Sequence, residues 1–307
     1  MAAGILSTAA QVEGQAALSG VLLALAVVSF LALVASDLWR AGRRRRSILS
    51  SKSDPHFALV LFTWVAACGV LGDRLAGLWP AAPLVFGVLA ITGWVAAAAA
   101  SVNLVLGQSG GWAARSIRGS WLLAVVATQS LSILAGSVAR QLGGGAILDV
   151  GVGLWALGLT LYVGLIALIL RRLARHEVRA SGMTPDYWIT MGALAISTVA
   201  STVDGPLTAG LAVATWLGGA AWVPYLCVAE LVGVRWRGTS LTYDPLRWST
   251  VFPLGMFSLA TFELGRTIGW PMFGPIGLLF FWAGLILAAV NTAGAVRAVA
   301  HANRSHC

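Results

Sequence analysis

The segment WSTVFPLGMFSLATFELG, from Trp248 to Gly265, holds the residue types best suited to doing chemistry in this 307-residue chain. Pro253 removes a backbone donor and Gly255 loosens the following turn, so a kink or broken turn is predicted inside an otherwise apolar helix. At about 100° per residue, Phe252, Met256, Leu259 and Glu263 fall on one face. An aromatic ring beside such a break can plug a narrow path, because apolar bulk closes a pore by excluding water. Ordinary helix packing of Phe252 is the competing reading. Glu263 is a carboxylate at the end of an apolar run, and a buried carboxylate in a membrane can mark a proton or ion path. With Arg266 three residues on, an i,i+3 ion pair accounts for it equally simply. Glu230, close to Arg235, is read in the same way.

Other chemistry is not encoded in any pattern. There is no P-loop, GxSxG or HExxH, and no helical spacing of paired carboxylates within one span. Cys68, Cys227 and Cys307 have no CxxC partner, and His56, His176, His301 and His306 sit at the edges of apolar stretches or between them. No metal, haem or other cofactor is expected, and the reading is not that of an enzyme.

The elements that must position these residues are long and apolar. Hydrophobic residues make up 58% of the chain and charged ones 10%, with a mean hydropathy of +0.85, which a soluble surface does not tolerate. A membrane core about 30 Å thick asks for roughly 17 to 25 apolar residues per helix. Spans are predicted near Ser19 to Asp37, Phe57 to Gly72, Pro83 to Leu106, Trp121 to Ala139, Ile147 to Leu170, Tyr187 to Thr202, Leu207 to Val234, Trp248 to Gly265 and Gly274 to Ala300. Breakers such as Trp79-Pro80, Gly143-Gly144-Gly145, Asp204-Gly205-Pro206 and Trp270-Pro271 separate them. MAAGILSTAA, Met1 to Ala10, has no positive n-region and is not read as a signal peptide. It is either a disordered tail or the outer half of a helix begun late. The second reading makes Gln11 to Gly20 a loop and gives ten helices, the first incomplete, in one domain over residues 1–307.

Seventeen of the 20 basic residues fall on one side of these spans, leaving Arg74, Arg140 and Arg266 opposite. By the positive-inside bias, the basic side is cytoplasmic and the C-terminus lies there. The run Arg43 to Arg46 is therefore topogenic, with some attraction to anionic lipid, and no nucleic-acid partner is expected.

The spans alternate in kind. Those beginning near Phe57, Trp121, Tyr187 and Trp248 carry hydroxylic and small residues, among them Thr63, Thr128, Ser132, Thr190 and Ser197. The spans between them are mostly aliphatic and aromatic. Lipid offers a hydroxyl no partner, so the first kind is predicted to form an inner ring and the second an outer one. For any single Ser or Thr, close packing and interhelical hydrogen bonding compete with a role on a path. Few fixed carboxylates are expected there.

YWITMGALAIST from Tyr187, RWSTVFPLGMFSLATFELGR from Arg247, FTWVAACGVLGDRL from Phe62 and the opening MAAGILSTAA resemble the tellurite-resistance and C4-dicarboxylate transporter family, which includes plant slow anion channels and fungal sulfite exporters. The resemblance covers essentially the whole chain. It implies ten helices in five hairpins around a central pore, inner helices lining the path, and a homotrimer. It also implies that a phenylalanine of the ninth helix occludes the pore, here Phe252 or, as second choice, Phe257. Small inorganic anions or dicarboxylates are the implied cargo, carried across an inner or plasma membrane, with tellurite or sulfite export and proton coupling through Glu263 as alternatives. A membrane scaffold or intramembrane enzyme is the alternative from another class.

Overall fold

The computed structural model describes residues 1–43, 55–107, 117–175, 184–202, 209–237 and 243–304. These form ten α-helices: α1 (Ala2–Val12), α2 (Ala16–Arg43), α3 (Pro55–Leu75), α4 (Ala82–Leu106), α5 (Leu123–Leu142), α6 (Gly145–Ala174), α7 (Ile189–Thr202), α8 (Ala209–Arg237), α9 (Trp248–Ile268) and α10 (Phe273–Arg304). There is no strand among the described residues. Residues 44–46, Lys52, Arg115, Arg179 and the Asp204-Gly205-Pro206 turn lie outside them.

Unbroken runs of Leu, Ala, Val and Ile build the helices, and left-handed glycines end two of them. Gly143 (φ 67°) and Gly269 (φ 70°) close α5 and α9, each donating its N–H to a carbonyl of the last turn. Several helices outrun their apolar stretches. α2 continues to Arg43 and α6 to Ala174, since Lys and Arg are good helix formers once the chain leaves the lipid. At the N-terminus, Met1 to Ala10 is no disordered tail: α1 is a helix of 11 residues, and the turn to α2 takes only Glu13 to Gln15 rather than Gln11 to Gly20.

Consecutive helices pair as five antiparallel hairpins, α1/α2 through α9/α10. The first member of each touches the first member of the next, and α9 returns to α1, so α1, α3, α5, α7 and α9 close a ring. Each outer helix packs in the groove between its own partner and the following inner helix. Burial follows the two rings: Ile189 through Ser201 is buried without a break, whereas only 22% of the most apolar window of α2, α4, α6, α8 or α10 is covered. Seven helices are long and apolar enough to cross a membrane by length and composition. The other three, α1, α7 and α9, belong to the inner ring, where neighbouring helices replace lipid as the surroundings. The architecture is that of a polytopic membrane protein.

Polar groups hold the two rings together. Indole N–H groups of Trp94 on α4 and Trp216 on α8 donate to the hydroxyls of Thr128 on α5 and Thr261 on α9, both at 2.9 Å, and Trp155 on α6 donates to the Ser197 carbonyl on α7 at 3.0 Å. In every case an outer helix is tied to the next hairpin. Within hairpins, Ser132 donates to the Gly151 carbonyl and Ser258 to the Gly277 carbonyl, each at 2.8 Å. Bonds of this kind contribute about 0.6 to 1.7 kcal/mol each within a bilayer.

At the arginine-rich end, three inner helices open on a 3₁₀ turn, Gly119–Leu122, Pro185–Trp188 and Pro245–Arg247. Buried Asp186 joins the first two, accepting from the Ser120 N–H at 3.0 Å and from the Thr184 hydroxyl. Glu230 lies 4.0 Å from Arg247, which replaces the expected partner Arg235, because the ring brings α8 beside the opening turn of α9.

Candidate functional site

The ring axis holds the one cavity, among those described, to which all five inner helices contribute. Ile5 and Thr8 of α1, Gly69, Val70 and Asp73 of α3, Ser130 and Ile133 of α5, Ile196 and Val199 of α7, and Met256 and Leu259 of α9 line it. It offers about 30 Å³ to water-sized occupants. That is room for on the order of two waters.

Inner helices approach one another closely around this cavity. A β-carbon on Gly69 would lie 2.5 Å from Ser130 Cβ, and one on Gly192 3.0 Å from the Pro253 ring. Small residues at these points let α3 meet α5 and α7 meet α9.

Two residues of the predicted face of α9 reach the cavity. Met256 and Leu259 line the cavity, and Phe252, 3% exposed, stands one turn nearer the arginine-rich end in the same helical phase. Pro253 seats against Gly192, while Gly255 faces Ile5 and Leu6 of α1. α9 remains one continuous helix through Pro253, so the turn is not broken there; the missing N–H leaves only the Ser249 carbonyl without its helical donor. Phe257 points elsewhere, stacked on Trp216 of α8 (centroids 5.5 Å) and edge-on to Phe280 of α10 (4.6 Å).

The hydroxyls expected on the path mostly turn away from it. Thr128 and Ser132 bond toward α4 and α6. Thr190 caps its own opening turn by donating to the Tyr187 carbonyl at 2.7 Å, and Ser197 donates to the Ala193 carbonyl at 2.8 Å. Thr63 donates to the Leu59 carbonyl at 2.9 Å and lies about two turns from Val70 on the same face of α3, toward the arginine-rich end. The cavity wall is therefore chiefly apolar, because outer helices claim Thr128 and Ser132 and local backbone carbonyls claim the others.

Charge gathers at the opposite mouth. Asp73 ends the cavity there, accepting from the Ser137 hydroxyl at 2.5 Å with Arg140 3.9 Å away. Ser7 and Ser19 exchange hydroxyl-to-carbonyl bonds of 2.8 Å, and Arg74 donates to both hydroxyls, at 3.1 and 2.8 Å. Glu263 pairs with Arg266 at 3.8 Å and does not line the cavity. Arg266 also donates to the Val12 carbonyl at 2.5 Å. Sequence reasoning missed Asp73, although it stands within FTWVAACGVLGDRL; its signal was an acid before Arg74 at the last turn of a span on the ring's inner face.

Comparison with known proteins agrees with this geometry. The family model described as voltage-dependent anion channel (SLAC1) matches residues 1–296. An uncharacterized membrane protein of Mycobacterium tuberculosis is 32% identical over 143 residues, covering 43% of this chain and 73% of that protein. An uncharacterized transporter of Methanocaldococcus jannaschii is 26% identical over 153 residues, covering 45% of this chain and 44% of that protein. A match over nearly its whole length, carried by a five-hairpin ring, means that the chain belongs to the SLAC1 voltage-dependent anion channel family.

Proposed function

We propose that this protein conducts small anions passively along the axis of its inner ring, with Phe252 as the gate. The observation that carries the reading is the axial cavity, walled by all five inner helices and continuous in helical phase with the Phe252 face of α9. An aliphatic wall holds no ion tightly, which suits rapid passage, and a constriction with such a wall closes by losing its water. An aromatic ring one turn below the cavity is placed to complete that closure, and its rotation would admit water.

Seventeen of the 20 basic residues lie toward the Phe252 end by sequence position, which raises the local concentration of anions over cations. This end is taken as cytoplasmic, with the C-terminus, in an inner or plasma membrane. A homotrimer is the assembly expected from the family. Glu263 is assigned to its ion pair with Arg266 rather than to proton coupling, because it stands off the cavity.

Replacing Phe252 with Ala tests the gate. In planar bilayers Phe252→Ala is expected to raise chloride current at least tenfold (about 1.4 kcal/mol at the barrier) over wild type at equal protein content. Unchanged current from correctly assembled protein removes Phe252 from the gate.

A further inference from the structure

Asp73 is the only charged side chain among the eleven that line the axial cavity. The cations around it divide their bonds among several partners. Arg74 serves Ser7 and Ser19, Arg266 serves Glu263 and the Val12 carbonyl, and Arg140 divides itself between Ser137 at 2.9 Å and Asp73 at 3.9 Å. The Ser137 hydroxyl holds the carboxyl group in place with a contact of 2.5 Å. Asp73 keeps 32% of its side chain accessible at this end of the cavity. An anion on the axis thus meets a fixed negative charge held in place by a hydroxyl and only partly offset by an arginine.

We infer that Asp73 sets the valence selectivity of the path, passing monovalent anions and holding back dianions such as sulfate or a dicarboxylate. The inference rests on the proposal that anions travel along this axis. Coulomb repulsion is proportional to the charge of the moving ion, so the barrier Asp73 adds for a dianion is twice that for a monovalent ion. If its removal raises chloride flux by some factor, sulfate flux rises by the square of that factor. A roughly threefold gain for chloride accordingly means about ninefold for sulfate. A side chain that merely shaped the cavity would change both fluxes alike or favour the smaller ion.

The test measures chloride and sulfate flux in proteoliposomes holding wild type, Asp73→Asn, Asp73→Glu or Arg140→Gln. Asp73→Asn should raise the sulfate-to-chloride ratio at least threefold, and Asp73→Glu should restore the wild-type ratio. Arg140→Gln, at an exposed position, strips the carboxylate of its partner and should lower the ratio. An unmoved ratio in both Asp73→Asn and Arg140→Gln overturns the inference. Where Asp73→Asn does not assemble, the direction of the ratio in Arg140→Gln decides alone. Wild type and Phe252→Ala both failing to carry chloride would instead overturn the axial path, a separate outcome from flux that flows without valence discrimination.

Discussion

Next to Phe252, Pro253 packs on Gly192, where α7 offers no side chain, and this fixes the height of α9 against α7. Gly192→Val would push branched carbons into a contact already at 3.0 Å, so overpacking should destabilise the fold by about 1 to 3 kcal/mol. A lowered unfolding temperature in detergent checks this; an unchanged one would show that α7 and α9 can separate freely. Thr128 makes the complementary case. Its hydroxyl accepts from Trp94 and donates to the Ala124 carbonyl, both away from the axis. Thr128→Val should leave chloride flux within about twofold while costing roughly 1 kcal/mol of stability, as for other interhelical hydrogen bonds in membranes. A large loss of flux at full stability would put Thr128 back on the path. Composition had made Thr128 and Ser132 look like pore residues because a hydroxyl in an apolar helix needs a partner, but it does not say on which side the partner stands. For Thr128 that partner is a tryptophan of the outer ring, and for Ser132 a backbone carbonyl of α6.

Helices and their pairing were legible where the signal was local. Apolar length gave nine spans, α1 came from the helical reading of Met1 to Ala10, and alternation between hydroxylic and aliphatic helices gave the two rings. The 3₁₀ turns that open α5, α7 and α9 were not legible, since the bond that matters links Asp186 to Ser120 across 66 positions. Asp186 is 4% exposed, and it accepts from both the Ser120 N–H and the Thr184 hydroxyl. Asp186→Ala therefore leaves half-buried donors without acceptors and should cost about 1 to 3 kcal/mol. The loss is checked by thermal unfolding, and protease sensitivity confined to the arginine-rich end would locate it. Stability equal to wild type would mean that water or a neighbouring carbonyl takes over both bonds.

At the scale of the molecule, one organisation serves lipid and axis together. Outer helices present Val28, Leu33, Val88, Ile91, Val163 and Ile286 outward, each more than half exposed, while inner helices meet closely at Gly69 and Gly192. The cavity-lining face of α9 was legible in part from helical phase, since a continuous helix keeps Met256 and Leu259 in line, while Glu263 of the same face stands beyond the cavity. Asp73 was not legible as a lining residue, since its direction depends on how α3 is rotated against α1 and α5. The central claim is that anions move between the five inner helices, and modification from within that space addresses it most directly. In a Phe252→Ala background with Cys68, Cys227 and Cys307 replaced by Ala, single cysteines are introduced as Met256→Cys, Ile196→Cys and Val163→Cys. Single-channel chloride current is then followed while an anionic thiol reagent is added. Block at positions 256 and 196 with no effect at lipid-facing 163 is the predicted result; current that persists when 256 and 196 are fully modified would contradict an axial path.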